Sequence, residues 1–116
     1  MMRTGDIVVV SFPFTDLTSF KARPAVVVNV AEDNYNDVIV CLITSVVPSL
    51  LNSFQILLIP DTINILKTAS IIKVERIAAV EQDKVRAVIG RLNPQELNDF
   101  KNMWRIINSH GKALCY

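Results

Sequence analysis

Short apolar runs rich in β-branched residues govern what this chain can become. It holds 15 valines and 13 isoleucines in 116 residues. The apolar runs fall at residues 7–10, 25–28, 38–43 and 56–59. Valine and isoleucine are stiff at χ1 and pack well on a pleated surface, so such runs favour strands over helices. None approaches the roughly 18 apolar residues that span a bilayer.

Polar punctuation divides the runs. Gly5-Asp6 precedes a first strand over 7–12, and a loop follows to Phe20. Pro24 opens a second strand over 25–30. Glu32-Asp33-Asn34 marks a turn, and a third strand over 37–44 closes a hairpin with the second. Residues 48–51 suit one helical turn. A fourth strand covers 54–59 and stops at Pro60-Asp61. A fifth, over 70–80, is long enough to require a bend. Residues 83–88 suit a turn of helix, and 89–92 a short last strand. Asn93, Pro94 and Glu96 then form an N-terminal helix signature. Leu97, Phe100, Met103, Trp104 and Ile107 recur at helical spacing, as core or dimer packing, and Gly111 is the expected stop. The expected architecture is mainly β with a terminal helix: a half-open, SH3-like barrel forming a single domain over 1–116.

The chemical inventory is sparse. The chain has one histidine and two cysteines. Cys41 lies inside an apolar run and reads as core, and a disulfide to Cys115 is not expected. His110 reads as a helix C-terminal residue. No Gly-rich phosphate loop or nucleophile elbow occurs. The expectation is no metal, no cofactor and a cytoplasmic protein without a membrane segment. Any enzyme here works with arginine, hydroxyls and carboxylates. RNA cleavage suits that set, because the ribose 2′-OH is already the nucleophile.

Charge first argues otherwise. Twelve basic against eleven acidic residues leave a net +1, whereas nucleic-acid binders usually carry a basic excess. The distribution is uneven, however. Residues 1–58 hold three basic and five acidic groups, and residues 59–116 hold nine and six. A short single strand presents few phosphates, so a local groove suffices.

The order of motifs resembles a known family. Gly5-Asp6-Ile7-Val8-Val9-Val10-Ser11-Phe12-Pro13-Phe14, then Lys21-Ala22-Arg23-Pro24-Ala25, is similar to the start of MazF/PemK-type toxins of bacterial type II toxin–antitoxin systems. Cys41-Leu42-Ile43-Thr44-Ser45 is similar to the family's P-I-T-S strand end. Leu66-Lys67-Thr68-Ala69-Ser70-Ile71-Ile72-Lys73-Val74-Glu75-Arg76-Ile77 and Ile89-Gly90-Arg91-Leu92 continue the match. The resemblance implies a homodimeric, metal-independent endoribonuclease acting on single-stranded RNA and neutralised by an antitoxin with an acidic tail.

Carried over, Arg23, Thr44 and Glu75 become catalytic candidates, and Lys21, Ser45, Lys73 and Phe14 RNA-binding ones. Each has a plainer reading. Arg23 also reads as an exposed strand start, and Thr44-Ser45 as strand-end hydroxyls. Lys73 and Glu75 also read as the wet face of a strand, Lys21 as a loop charge, and Phe14 and Phe20 as packing. The chain departs from the family in lacking an Arg-Thr pair after Glu75, in having Glu rather than Asp there, and in its short loop over 14–20. A same-fold toxin that poisons DNA gyrase is the competing reading, although the C-terminal Trp-Gly-Ile of that group is absent. An inactive antitoxin- or RNA-binding module is the third.

Overall fold

A computed structural model describes residues 2–13, 20–30, 37–109 and 114–115. Strands β1 (Asp6–Pro13), β2 (Phe20–Val30), β3 (Asp37–Thr44), β4 (Gln55–Leu58) and β5 (Ser70–Glu81) lead through a 3-10 turn (Gln82–Lys84) into β6 (Val85–Arg91). Helix α1 (Pro94–Ser109) and a short β7 (Leu114–Cys115) follow. The strands form one sheet in the order β4-β5-β3-β2-β1-β6, and β7 adds parallel to β5. The other pairings are antiparallel. The path does not close, so the half-open barrel with a terminal helix is what forms. No helix among the described residues is long and apolar enough to cross a membrane.

Both faces of the sheet are apolar, for different reasons. Strand side chains alternate between faces. Ile7, Val26, Cys41, Ile43, Ile72 and Val74 form one cluster, covered by Phe100 and Ile107 of α1. Val8, Val10, Ala25, Val27, Val38 and Val40 form the other, and all six are fully buried. That second face is closed by the sheet's own curl, which brings Ala78, Val80 and Val85 against it. The bend expected in the fifth strand is a slip in the β3–β5 register between Cys41 and Leu42.

Three expectations are corrected. β2 begins at Phe20, and Pro24 lies within it, opposite Val9 of β1. Pairing of β2 with β3 starts only at Ala25, so the missing N–H of Pro24 faces no neighbour. Residues 48–51 make no helical turn and leave Leu50 86% exposed. Only Gln82–Lys84 of the presumed 83–88 turn is helical, and β6 starts at Val85, because pairing with β1 outweighs local preference. β7 carries no sequence signal beyond Leu114 and Cys115, and was not expected.

The helix starts as its sequence requires. Glu96 N–H donates to Asn93 Oδ1 (2.8 Å), and Asn93 N–H donates to Glu96 Oε1 (3.0 Å). This reciprocal capping box fixes α1 against the sheet. Burial pushes the Glu96 carboxyl above its ordinary value, against the opposing pull of the Asn93 N–H. Gly5 holds φ +92° beneath the helix, where a Cβ would meet Leu97 Cδ1 at 2.7 Å.

Candidate functional site

Strand register brings the first candidates together. Val10 opposes Arg23, Ala25 opposes Leu42, Leu42 opposes Lys73, and Thr44 opposes Ile71. Directly opposed residues share a face. Arg23, Thr44 and Lys73 therefore continue the face of Val8, Val10 and Ala25, at the end of the sheet where that buried cluster stops.

There Arg23, Thr44 and Ser45 line a cleft of about 270 Å³. Its apolar lining is Val9, Pro24, Ile43 and Ile89, and Ile65, Leu66, Lys67, Thr68 and Ser70 complete it. Among the described residues no carboxylate lines the cleft. Two cations and four hydroxyls on an apolar base form a setting suited to an anion. A guanidinium offers paired donors matched to phosphate oxygens. Thr44 Oγ1 accepts the Val46 N–H (3.1 Å), which leaves the hydroxyl proton to be donated elsewhere. The Ser70 hydroxyl donates internally, to the Thr68 carbonyl (3.1 Å).

The wall from Ile65 to Thr68 is braced from behind. Asp61 Oδ1 accepts the N–H groups of Ile63 (2.8 Å) and Asn64 (2.6 Å), and its Oδ2 accepts from Asn93 Nδ2 (3.2 Å). The buried Asn64 accepts from Asp61 and Leu66 N–H through Oδ1 (both 3.0 Å) and donates to the Ile59 carbonyl (2.8 Å). Arg91 N–H donates to the Ile63 carbonyl (3.0 Å). Gly90 permits this seating: a Cβ there would lie 2.5 Å from the Asn64 carbonyl oxygen.

The Asn64 N–H above all, and the Asn93 and Ile63 donors after it, hold the Asp61 carboxyl below its ordinary 3.8, against partial desolvation. A depressed carboxyl stabilises the fold above its unfolded value, and that contribution disappears as pH falls through the folded value. Acidification below 3.8 is therefore expected to loosen the 61–66 wall. In acid titrations followed by amide exchange, Asp61→Asn should flatten the pH dependence of protection at Ile63 and Asn64. An unchanged titration would remove Asp61 from that role.

The remaining candidates fall beside the cleft or outside the described residues. Lys73 is half-buried, one pleat from Thr44 on the same face and about 7 Å along the strand. Glu75 sits in the β5 register slip, and its Oε2 is buried without a hydrogen-bond partner. Neither Lys73 nor Glu75 lines the cleft. Lys21 pairs with Phe12 along the β1–β2 ladder. Phe14 lies outside the described residues, as do His110 and Gly111. Cys41 is a free, buried core thiol. Burial, then the Glu75 charge, pushes it up to about 12, so it is no nucleophile at neutral pH.

Lys67, Thr68, Ser70, Ile65 and the Asp61–Asn64 brace were not among the sequence candidates. Lys67-Thr68 belongs to a stretch that resembles the family, but only the folded loop brings it to the same cleft as Arg23. The basic stretch over 67–91 contributes Lys67 alone to the cleft lining, with Lys73 adjoining. Arg91 instead pairs with Asp6 (3.3 Å).

Comparison with known proteins identifies the family and the fold. Residues 3–107 match the family model described as PemK-like, MazF-like toxin of type II toxin–antitoxin system. No curated protein matches the chain. The fold superimposes on an endoribonuclease solved in complex with its cognate antitoxin from a mycobacterial species, with a TM-score of 0.68, 12% identity and 96% of each chain covered. It also superimposes on the Mycobacterium tuberculosis toxin MazF-mt6, with a TM-score of 0.64, 18% identity, and coverage of 91% of this chain and 96% of that one. With the family model spanning all six main strands and most of α1, the chain belongs to the PemK-like, MazF-like toxins of type II toxin–antitoxin systems.

Proposed function

We propose that this protein is a metal-independent endoribonuclease toxin that cuts single-stranded RNA. The observation that carries the reading is the cleft itself: Arg23, Lys67 and the hydroxyls of Thr44, Ser45 and Thr68, with no carboxylate among the described lining residues. Such a site accepts a phosphodiester. Arg23 stabilises the charge that develops on the phosphoryl oxygens, and Thr44 and Ser45 donate to the same group. The 2′-oxygen forms a bond to phosphorus and loses its proton, and the bond from phosphorus to the 5′-oxygen breaks. The products are a 2′,3′-cyclic phosphate and a free 5′-hydroxyl, which takes up a proton.

The base comes from beside the cleft, since no described acidic residue lines it. Glu75, in the β5 register slip two residues after Lys73, is our assignment. Its unpartnered Oε2 is the kind of uncompensated polar atom that functional sites retain. An arginine stays protonated and makes a poor base. Lys73, with Phe14 in and Lys21 after the 14–19 segment, is assigned to flanking phosphates and bases.

Two partners belong to this reading. Val46, Val47, Leu50 and Leu51 are 77%, 39%, 86% and 42% exposed. An exposed apolar run of this kind supports coverage by a second copy in a homodimer. The cationic cleft supports neutralisation by an antitoxin with an acidic tail, in the cytoplasm where its RNA substrate lies.

The test is total RNA and a synthetic single strand incubated with purified protein, with and without chelator, followed by sequencing of the cut ends. Expected is cleavage at a short recurring motif, at equal rate in both conditions. Cleavage that stops in chelator would overturn the metal-free mechanism. Gyrase-dependent DNA breaks without RNA cleavage would replace the reading with the gyrase-poison alternative, and neither outcome with the inactive module.

A further inference from the structure

Ile65 is held at φ +58°, and among the described residues it is the only non-glycine at positive φ. A β-branched side chain in the left-handed region is a true outlier, because its Cβ crowds the following carbonyl. Glycine or asparagine would take the same turn with far less strain.

Nothing inside the fold rewards the isoleucine. It is 54% exposed and belongs to neither apolar cluster, while its neighbour Leu66 packs on the helix-side core. Strain that persists without packing in return concentrates at functional sites.

Its place supplies the function. Ile65 lines the cleft with Arg23, Thr44 and Lys67, and it is the one large apolar residue of that lining that stands exposed. It is also rigidly set. Ile65 N–H donates to the Asp61 carbonyl (3.2 Å), and Leu66 N–H is held by Asn64 Oδ1 (3.0 Å). The charged and hydroxyl groups of the cleft suit a phosphate. A fixed, branched aliphatic group beside them suits the face of a nucleobase and discriminates by shape.

We propose that Ile65 is a specificity-determining residue, packing on the base of a nucleotide adjacent to the scissile phosphate. This rests on the ribonuclease reading above. Discrimination by apolar shape alone is worth about 10- to 200-fold, so the residue is expected to tune the motif rather than create it.

The experiment compares wild type, Ile65→Gly and Ile65→Asn on a randomised single-stranded RNA pool, reading the cut ends by sequencing. Thermal midpoints and sedimentation are measured on the same samples. Both substitutions ease the backbone, so both should fold, with a higher midpoint. Expected is retained cleavage, with preference at one position next to the cut reduced by about 10-fold or more. An unchanged motif in both variants would overturn the proposal. So would a shift in dimerisation with the motif intact, which would make Ile65 a subunit contact. No cleavage by the wild type would remove the ribonuclease reading itself, and this inference with it.

Discussion

Arg23→Ala should reduce RNA cleavage by roughly 1,000-fold or more, with thermal midpoint and oligomeric state unchanged. Removing one preorganised donor from a developing oxyanion typically costs about 100- to 1,000-fold, and in the proposed mechanism the lost group is also a cation facing a doubly charged transition state. The fold should tolerate the change because Arg23 is exposed and lies beyond the last β2–β3 pair, Ala25 with Leu42. Its alanine neighbours in β2, Ala22 and Ala25, sit in the same strand without distortion. Arg23→Lys should recover only part of the rate, since an ammonium does not present the paired donors of a guanidinium. Wild-type cleavage by the alanine variant, measured on a defined single strand, would remove Arg23 from the site.

Gly90→Ala should damage both stability and activity, although residue 90 lies in β6 and is not among the cleft-lining residues. The added methyl would fall 2.5 Å from the Asn64 carbonyl oxygen and 2.8 Å from that of Ile63. Both are backbone atoms, so no side chain can swing aside. Overpacking of this kind typically costs about 1–3 kcal/mol. The strain is relieved most easily by pushing the 61–66 wall outward, carrying Ile65 and Lys67 away from Arg23. Misplacement by about 1 Å can cost on the order of 100-fold in rate. Denaturant unfolding together with cleavage rates checks this. A variant that loses stability yet cleaves normally would mean that the wall is not part of the working site.

The legible parts of this chain were those whose signals are local. β3 runs from Asp37 to Thr44 as expected, because polar residues bound it on both sides. Helix α1 begins at Pro94 because Asn93 and Glu96 cap each other. The β2–β3 hairpin followed from two apolar runs across a short polar segment. Elsewhere a local signal was overruled by pairing. Pro24 marks the limit of β3's reach rather than the start of a strand. Val85–Arg91 is a strand because β1 needs a partner there.

In the cleft, Arg23, Thr44 and Ser45 were found through motif resemblance, and register explains why they meet. The opposite wall was not legible. Nothing in the residue type isoleucine announces a positive φ, and the approach of Gly90 to Asn64 joins segments 26 positions apart.

The doubly apolar sheet leaves this protein little freedom to diversify along its strands. A polar substitution among the buried residues of β1, β2 or β3 meets a packed interior, so on the ribonuclease reading a lineage that changes its target must write the change elsewhere. The writable surface is the set of connections and strand ends: the exposed stretch after Thr44 and the short turn that carries Ile65. New target preferences should therefore accumulate in those segments while the valine and isoleucine lattice beneath them stays fixed. Libraries randomised there, and not in the strands, are the ones expected to keep their fold.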